Sequence, residues 1–203
     1  DMTQAGRPVA RATTRMAVFD FEHGVPRRLS AGERAWFAEV AEASEPWPDL
    51  GTWALGERPH RHVLQVRWSD LDAYGHVNNV HFFDYVAEAR IRMNTALFEA
   101  ASPGQDPSTA RVMWVVARQD LTYRSQLAHR LEPYEVATSI ARVGTTSLTL
   151  VAAIRDPLAD PVRDIARSLT VLVCTDPAGR PVPIPDALRA GAAQWPAYDL
   201  SAT

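Results

Sequence analysis

Asp70-Leu71-Asp72-Ala73-Tyr74-Gly75-His76-Val77-Asn78-Asn79 lies between an alternating segment, His62 to Trp68, and a long helical pattern, Val80 to Glu99. Two carboxylates, a histidine and two amide side chains fall within these ten residues, and Gly75 permits a turn that a bulkier residue resists. Upstream, Val63, Gln65 and Arg67 alternate with Leu64, Val66 and Trp68, which is the period of a strand. Downstream, Val80, Phe83, Ala87, Ile91 and Phe98 follow one helical face, while Phe82, Val86, Ala89, Met93 and Leu97 occupy the adjoining one. An apolar arc that wide predicts a helix enclosed over most of its length, with the Glu88 and Arg92 pair on the remaining edge.

The helix should stop before Ser102-Pro103-Gly104, with a loop to about Ala110. Arg111 to Tyr123, Tyr134 to Val143, Thr146 to Arg155 and Val162 to Thr175 then read as strands, joined mainly by short turns at Gly144-Thr145 and from Asp156-Pro157 to Pro161. One enclosed helix followed by consecutive strands is an α+β pattern, a long central helix wrapped by an antiparallel sheet of about five strands. Pro181 to Pro185 leads into a short helix near Asp186 to Ala193 and a tail.

Before His62 the pattern changes. Asp1 to Arg15 is polar and without period, which predicts a loose arm, and Met16 to Phe21 is a short apolar piece. Ser30-Ala31-Gly32-Glu33 has the form of a capping box, so a helix should run to about Ala43, with Trp36, Phe37 and Val40 on a side that needs a surface to lie on. Ser44 to Pro59, with its prolines and glycines, reads as an extended connector pinned by Trp47 and Trp53, or as part of a cap over a substrate pocket. The expected organisation is therefore an N-terminal extension over residues 1–61, a main domain over 62–187, and the end of the C-terminal helix with a tail over 188–203.

Composition removes whole reaction classes. The formal charge of -3 and pI near 6.1 argue against nucleic acid as a partner. All 21 basic residues are arginine, so a Schiff-base lysine and a P-loop lysine are both excluded. Cys174 is the only cysteine and sits in the apolar run Leu169 to Thr175, which predicts a core thiol and rules out an intrachain disulfide or a multi-cysteine zinc site. No apolar span has the length of a membrane helix and no signal-like segment opens the sequence, so the expected location is cytoplasmic, without a membrane partner. Gly-x-Ser-x-Gly and His-Glu-x-x-His are both absent, His60-Arg61-His62 has no evident third ligand, and Asp70, Asp72, His76 and His81 are too loosely spaced to predict a metal. Carboxylate and histidine remain as the candidate reactive groups.

The strand, the motif Asp72-x-x-x-His76-Val77-Asn78-Asn79 and the helix carrying Phe82, Tyr85 and Glu88-Ala89-Arg90 together resemble the hotdog-fold acyl-CoA thioesterases of the 4-hydroxybenzoyl-CoA thioesterase type. Val116-Ala117-Arg118 through Leu121-Thr122-Tyr123-Arg124-Ser125, Val143-Gly144-Thr145-Thr146-Ser147, Val171-Leu172-Val173 and Pro181-Val182-Pro183-Ile184-Pro185 are similar to later family landmarks, in order. The resemblance runs from about His62 to Ala187. It implies a hotdog fold, a homodimer or dimer of dimers with active sites between subunits, and hydrolysis of acyl-CoA to a free acid and coenzyme A. No separate cofactor is implied, since coenzyme A belongs to the substrate.

The resemblance also points to Asp72 as the catalytic carboxylate, acting either as nucleophile or as general base towards water. Asp70 is expected to be structural, because adjacent ionised carboxylates oppose each other. A helix N-terminus supplies free backbone N–H groups to a developing oxyanion, and Asn79 is the best placed donor. Asn78 either caps the helix or holds the water; His76 either orients the thioester and tunes Asp72 or fixes the turn. Arg118, Arg124 and Arg142, with Arg167, are candidates to meet the phosphates of coenzyme A or to be ordinary surface arginines. Leu131-Glu132-Pro133, where Gly-Asp is common in the family, and Phe82, where tyrosine is frequent, depart from its pattern and bear on acyl specificity. Two other readings fit the same motif: an acyl-carrier-protein thioesterase, and a non-catalytic acyl-CoA-binding module.

Overall fold

The computed structural model describes residues 2–10, 17–20, 22–23, 25–41, 46, 49, 51–101, 103–104 and 112–200. It divides into two compact units, Asp1–Pro48 and Asp49–Thr203. Met16, Phe21, Ala43, Trp47, most of the loop after Ser102, Arg111 and the last three residues lie outside the described ones.

Within the first unit, β1 (Met2–Gln4) and β2 (Arg7–Ala10) pair antiparallel where an irregular arm was expected. Ala5 and Gly6, both at positive φ, make the tight turn that brings them together. A second pair, β3 (Val18–Asp20) and β4 (Val25–Arg27), precedes α1 (Ala31–Val40). The capping box is formed as the sequence predicts, with Ser30 Oγ accepting from the Glu33 N–H and the Glu33 carboxylate accepting from the Ser30 N–H. Glu33 also takes two hydrogen bonds from Arg27, at 2.8 and 2.7 Å.

The second unit begins with β5 (Trp53–Ala54), then β6 (His60–Leu64), α2 (Asn79–Ala101), β7 (Met113–Tyr123), β8 (Tyr134–Val143), β9 (Ser147–Asp156), β10 (Arg163–Thr175), α3 (Asp186–Gly191) and β11 (Tyr198–Asp199). Five of these strands form one antiparallel sheet in the order β6-β8-β9-β10-β7. This is the hotdog arrangement, a long helix lying against an antiparallel sheet, and the strands match their sequence alternation closely.

Along β9, Leu148, Leu150, Ala152 and Ile154 share the core with α2, whose Phe82, Val86, Ala89, Met93 and Leu97 are all sequestered, and Thr149, Val151 and Ala153 between them are buried as well. The core has two parts. Phe82, Tyr85, Val86 and Ala89 pack with Leu64, Val77, Leu127 and Ile165, whereas Met93 and Leu97 pack with Leu172, Cys174, Ile184 and Leu188. Cys174 is fully buried, and burial raises its thiol pKa, as befits a core residue. Gly56 donates its N–H to Ser139 Oγ and β5 pairs with β11, so the connector is held against the sheet with Trp53 half-buried.

Within the second unit, two details differ from the sequence reading. The strand expected to reach Trp68 ends at Leu64: Val66 remains buried, but Trp68 is 78% exposed and opens a 3-10 turn, Trp68–Asp70. The Asp70 carboxylate takes the backbone N–H of Arg67 at 3.0 Å, which diverts the chain from the ladder. The second difference concerns α2, which is enclosed on one face only, since Val80, Phe83 and Ile91 are exposed on the other. A single sheet covers one side of a helix, and in the isolated chain the rest of the apolar arc is open.

Candidate active site

The decapeptide is built around its two aspartates. Asp70 is 1% exposed and accepts hydrogen bonds from the Tyr85 hydroxyl at 2.7 Å, the Arg67 N–H at 3.0 Å and Arg67 Nε at 3.1 Å. Burial pushes its carboxyl upward, but the donors from Tyr85 and Arg67 outweigh it and hold the group below the ordinary carboxylate value. Tyr85 moves the other way, raised by burial and then by its bond to Asp70. The Asp70 carbonyl also accepts the N–H of Asn78 at 3.0 Å, so this one residue ties the loop's entrance to the start of α2.

Asp72 occupies the loop's outer part. Its Oδ1 accepts from the N–H groups of Tyr74, at 2.8 Å, and His76, at 3.1 Å, while its own N–H donates to the His76 carbonyl at 2.7 Å. Gly75 at φ 77° closes this turn, and a bridge between Leu71 and Val77 seals its base. The turn fixes the direction of the carboxylate; Oδ2 makes no hydrogen bond to any described residue.

Asn78 is the N-cap of α2, with Oδ1 accepting from the Val80 N–H at 3.1 Å and its carbonyl accepting from the His81 N–H at 3.0 Å. That leaves the N–H of Asn79, the first residue of the helix, with no acceptor among the described residues. It stands at the positive end of a long helix, the environment that favours an oxyanion.

Asp72, His76, Asn78 and Asn79 share one cleft of about 490 Å³. Its opposite wall comes from the segment after β7, which the Val77 N–H joins by donating to the Leu127 carbonyl at 3.3 Å. Three wall residues were not anticipated. Tyr123 donates its hydroxyl to the Asn79 carbonyl at 3.1 Å and meets Phe82 edge-on at 5.1 Å. Ser125 carries a buried Oγ with no hydrogen-bond partner, and Gln126 Nε2 is 3.5 Å from His76 Nδ1. The only signal for them was the Tyr123-Arg124-Ser125 landmark at the end of a long strand.

The arginine candidates separate. Arg124 lines the cleft. Arg118, on β7, is bound by Asp120 through two hydrogen bonds, at 2.8 and 2.6 Å. Arg142 is exposed on β8 and does not line the cleft, and Arg167 is engaged with Asp164 at 2.6 Å. Among the described residues no group of three or more His, Cys, Asp or Glu could hold a metal ion, and no helix is long and apolar enough to cross a membrane.

Comparison with known proteins places this geometry. Among solved structures, the PA5185 protein of Pseudomonas aeruginosa strain PAO1 is 28% identical, with 73% of this chain and 99% of that one covered at a TM-score of 0.59. The PA2801 protein of Pseudomonas aeruginosa is 32% identical over 64% of this chain and 95% of that one, at a TM-score of 0.54. A thioesterase from Thermus thermophilus, in complex with coenzyme A and Zn, is 32% identical over 66% of this chain and 92% of that one, at a TM-score of 0.53. No curated protein matches the chain. The model of the thioesterase-like superfamily matches residues 66–191, from just after β6 through the Asp70–Asn79 loop to the end of α3, and the chain belongs to that superfamily.

Proposed function

We propose that the protein hydrolyses an acyl-CoA thioester to a free acid and coenzyme A, with Asp72 as its reacting carboxylate. The observation that carries this reading is the cleft in which Asp72, one oxygen anchored and the other free, lies with the unbonded N–H of Asn79. In the general-base route, Asp72 takes a proton from water as the water oxygen bonds to the thioester carbon. The carbonyl oxygen gains the negative charge and is met by the Asn79 N–H; collapse of the intermediate then breaks the C–S bond, and the thiolate takes the proton from Asp72. In the nucleophilic route, Asp72 attacks the thioester carbon and the C–S bond breaks as a mixed anhydride forms, releasing the coenzyme A thiolate. Water then cleaves the anhydride to the free acid and the Asp72 carboxylate, and the proton it gives up goes to the thiolate. His76, beside Gln126, orients the thioester, and the coenzyme A complex of the Thermus thermophilus thioesterase supports this substrate class.

A cytoplasmic homodimer, or a dimer of dimers, completes the proposal. The exposed Val80, Phe83 and Ile91 of α2, and Met113, Val115 and Val116 on the edge strand β7, support a second copy as their cover. The test is thiol release from aromatic, short, medium and long acyl-CoA esters. Asp72→Ala should lower kcat/KM by about two to four orders of magnitude. A purified, folded variant that keeps most of the wild-type rate would remove Asp72 from the mechanism.

One observation favours a second reading. Asp72 Oδ1 is fully used in closing its own turn, which a merely structural aspartate would also do. Tight acyl-CoA binding without thiol release would select the binding-module reading, and turnover of acyl-carrier-protein thioesters alone would select the carrier-protein one.

A further inference from the structure

A second groove, of about 660 Å³, adjoins the β9–β10 connection and is lined by Arg124, Arg155, Arg163 and Arg167 against only Asp160 and Asp164. Arg124 lines both this groove and the catalytic cleft, so the two share a wall. Resting on the acyl-CoA reading, we propose that this groove binds the phosphate groups at the nucleotide end of the substrate.

The backbone explains why the arginines converge. Residues of a regular strand alternate faces, which would put Asp164 and Arg167 on opposite sides, but the register slips between Asp164 and Ala166. The irregularity brings them together, with Arg167 Nε donating to Asp164 Oδ2 at 2.6 Å. At the same place the Ile165 carbonyl accepts the N–H groups of Arg124, at 2.8 Å, and Ser125, at 3.1 Å, which pins Arg124 between groove and cleft.

The arginines exceed the carboxylates available to them. Asp164 serves both Arg167 and Arg155, and although Arg155 Nε is 3.3 Å from Asp164 Oδ1, it lacks hydrogen-bond geometry and is a buried donor without an acceptor. The other carboxylate near Arg155, Glu135, is 3.8 Å away and already held by Arg61 at 2.7 Å. Arg163 reaches Asp156 only at 3.9 Å, and Asp156 is already held by Arg130 at 2.7 and 3.1 Å. Among the described residues no carboxylate pairs with Arg124. Guanidinium groups with spare donors around a cavity of nucleotide size suit phosphate oxygens. By contrast, Arg118 has its fork filled by Asp120.

The test compares one acyl group on coenzyme A and on pantetheine, which lacks the nucleotide phosphates, in wild type and Arg163→Glu. Arg163 is largely exposed, so the change leaves the core intact. The ratio of kcat/KM for the coenzyme A ester to that for the pantetheine ester should fall at least about tenfold. An unchanged ratio overturns the groove while leaving the hydrolase standing. If wild type releases thiol from neither ester, the hydrolase reading fails by itself, and calorimetric titration with coenzyme A decides the groove. Binding weakened about tenfold by Arg163→Glu supports it, whereas equal binding, or none by wild type, overturns it.

Discussion

Asp70 and Asp72 are separated by a single residue, yet the loop treats them oppositely. The inner carboxylate is saturated by a tyrosine hydroxyl, a backbone N–H and a guanidinium, and its own carbonyl holds the first turn of α2. The outer one has two backbone donors on one oxygen and none on the other, and it lines a cleft. A carboxylate whose lone pairs are all engaged in a dry site stabilises and orients; one with an unoccupied oxygen beside open space is able to exchange a proton or attack a carbonyl. The inner aspartate therefore builds the platform on which the outer one is displayed.

Substitution of each in turn should separate the two roles. The largest expected effect is Asp72→Asn, which keeps the Oδ1 acceptor for the Tyr74 and His76 N–H groups but supplies neither base nor nucleophile. Thiol release should drop by about two to four orders of magnitude while the urea midpoint stays close to wild type. If activity and midpoint fall together, the division between the aspartates collapses.

Asp70→Asn should do the reverse, costing about 2 kcal/mol of stability at pH 7 in urea denaturation, because buried donors lose a charged acceptor. Its pH dependence has a fixed sign. A carboxyl held below its ordinary value is ionised more readily in the folded state, so its contribution is present above the unfolded value and is lost as pH falls through the folded one. The gap between wild type and Asp70→Asn should thus narrow in acid, and a gap that widened there would show that Asp70 is not the stabilising group.

Much of this arrangement could be read from the sequence. Tyr134 to Val143 is a strand over the same residues in both readings, since alternation over ten positions leaves little freedom. The capping box at Ser30 and the motif before α2 were visible because caps use few residue types at fixed spacing. What escaped depended on partners distant in the chain or on one side chain overriding a pattern. Leu64, Val66 and Trp68 are in phase, but periodicity cannot register that Asp70 will capture the Arg67 N–H and turn Trp68 outward.

Ser125 and Gln126 are held at the cleft by pairings no local window contains: Leu127 receives the Val77 N–H from 50 residues earlier, and Ser125 donates its own N–H to the Ile165 carbonyl further along the chain. Arg118 was more legible than its reading allowed: Asp120, two residues further along a strand, shares its face.

Asn78 supplies the smallest and finest test, because capping and catalysis make different demands on it. As N-cap its side chain needs only an oxygen for the Val80 N–H, so Asn78→Ala should cost about 1 kcal/mol of stability, measured by urea denaturation. Asn78→Asp keeps the acceptor and adds a negative charge at the helix N-terminus, which should preserve or slightly raise stability. The same charge would oppose the oxyanion proposed to form at the neighbouring Asn79 N–H, so thiol release should fall even though the cap is intact. If Asn78→Asp is as stable as wild type and as active, the start of α2 supports the fold without meeting the developing charge, and the oxyanion must be stabilised elsewhere in the cleft.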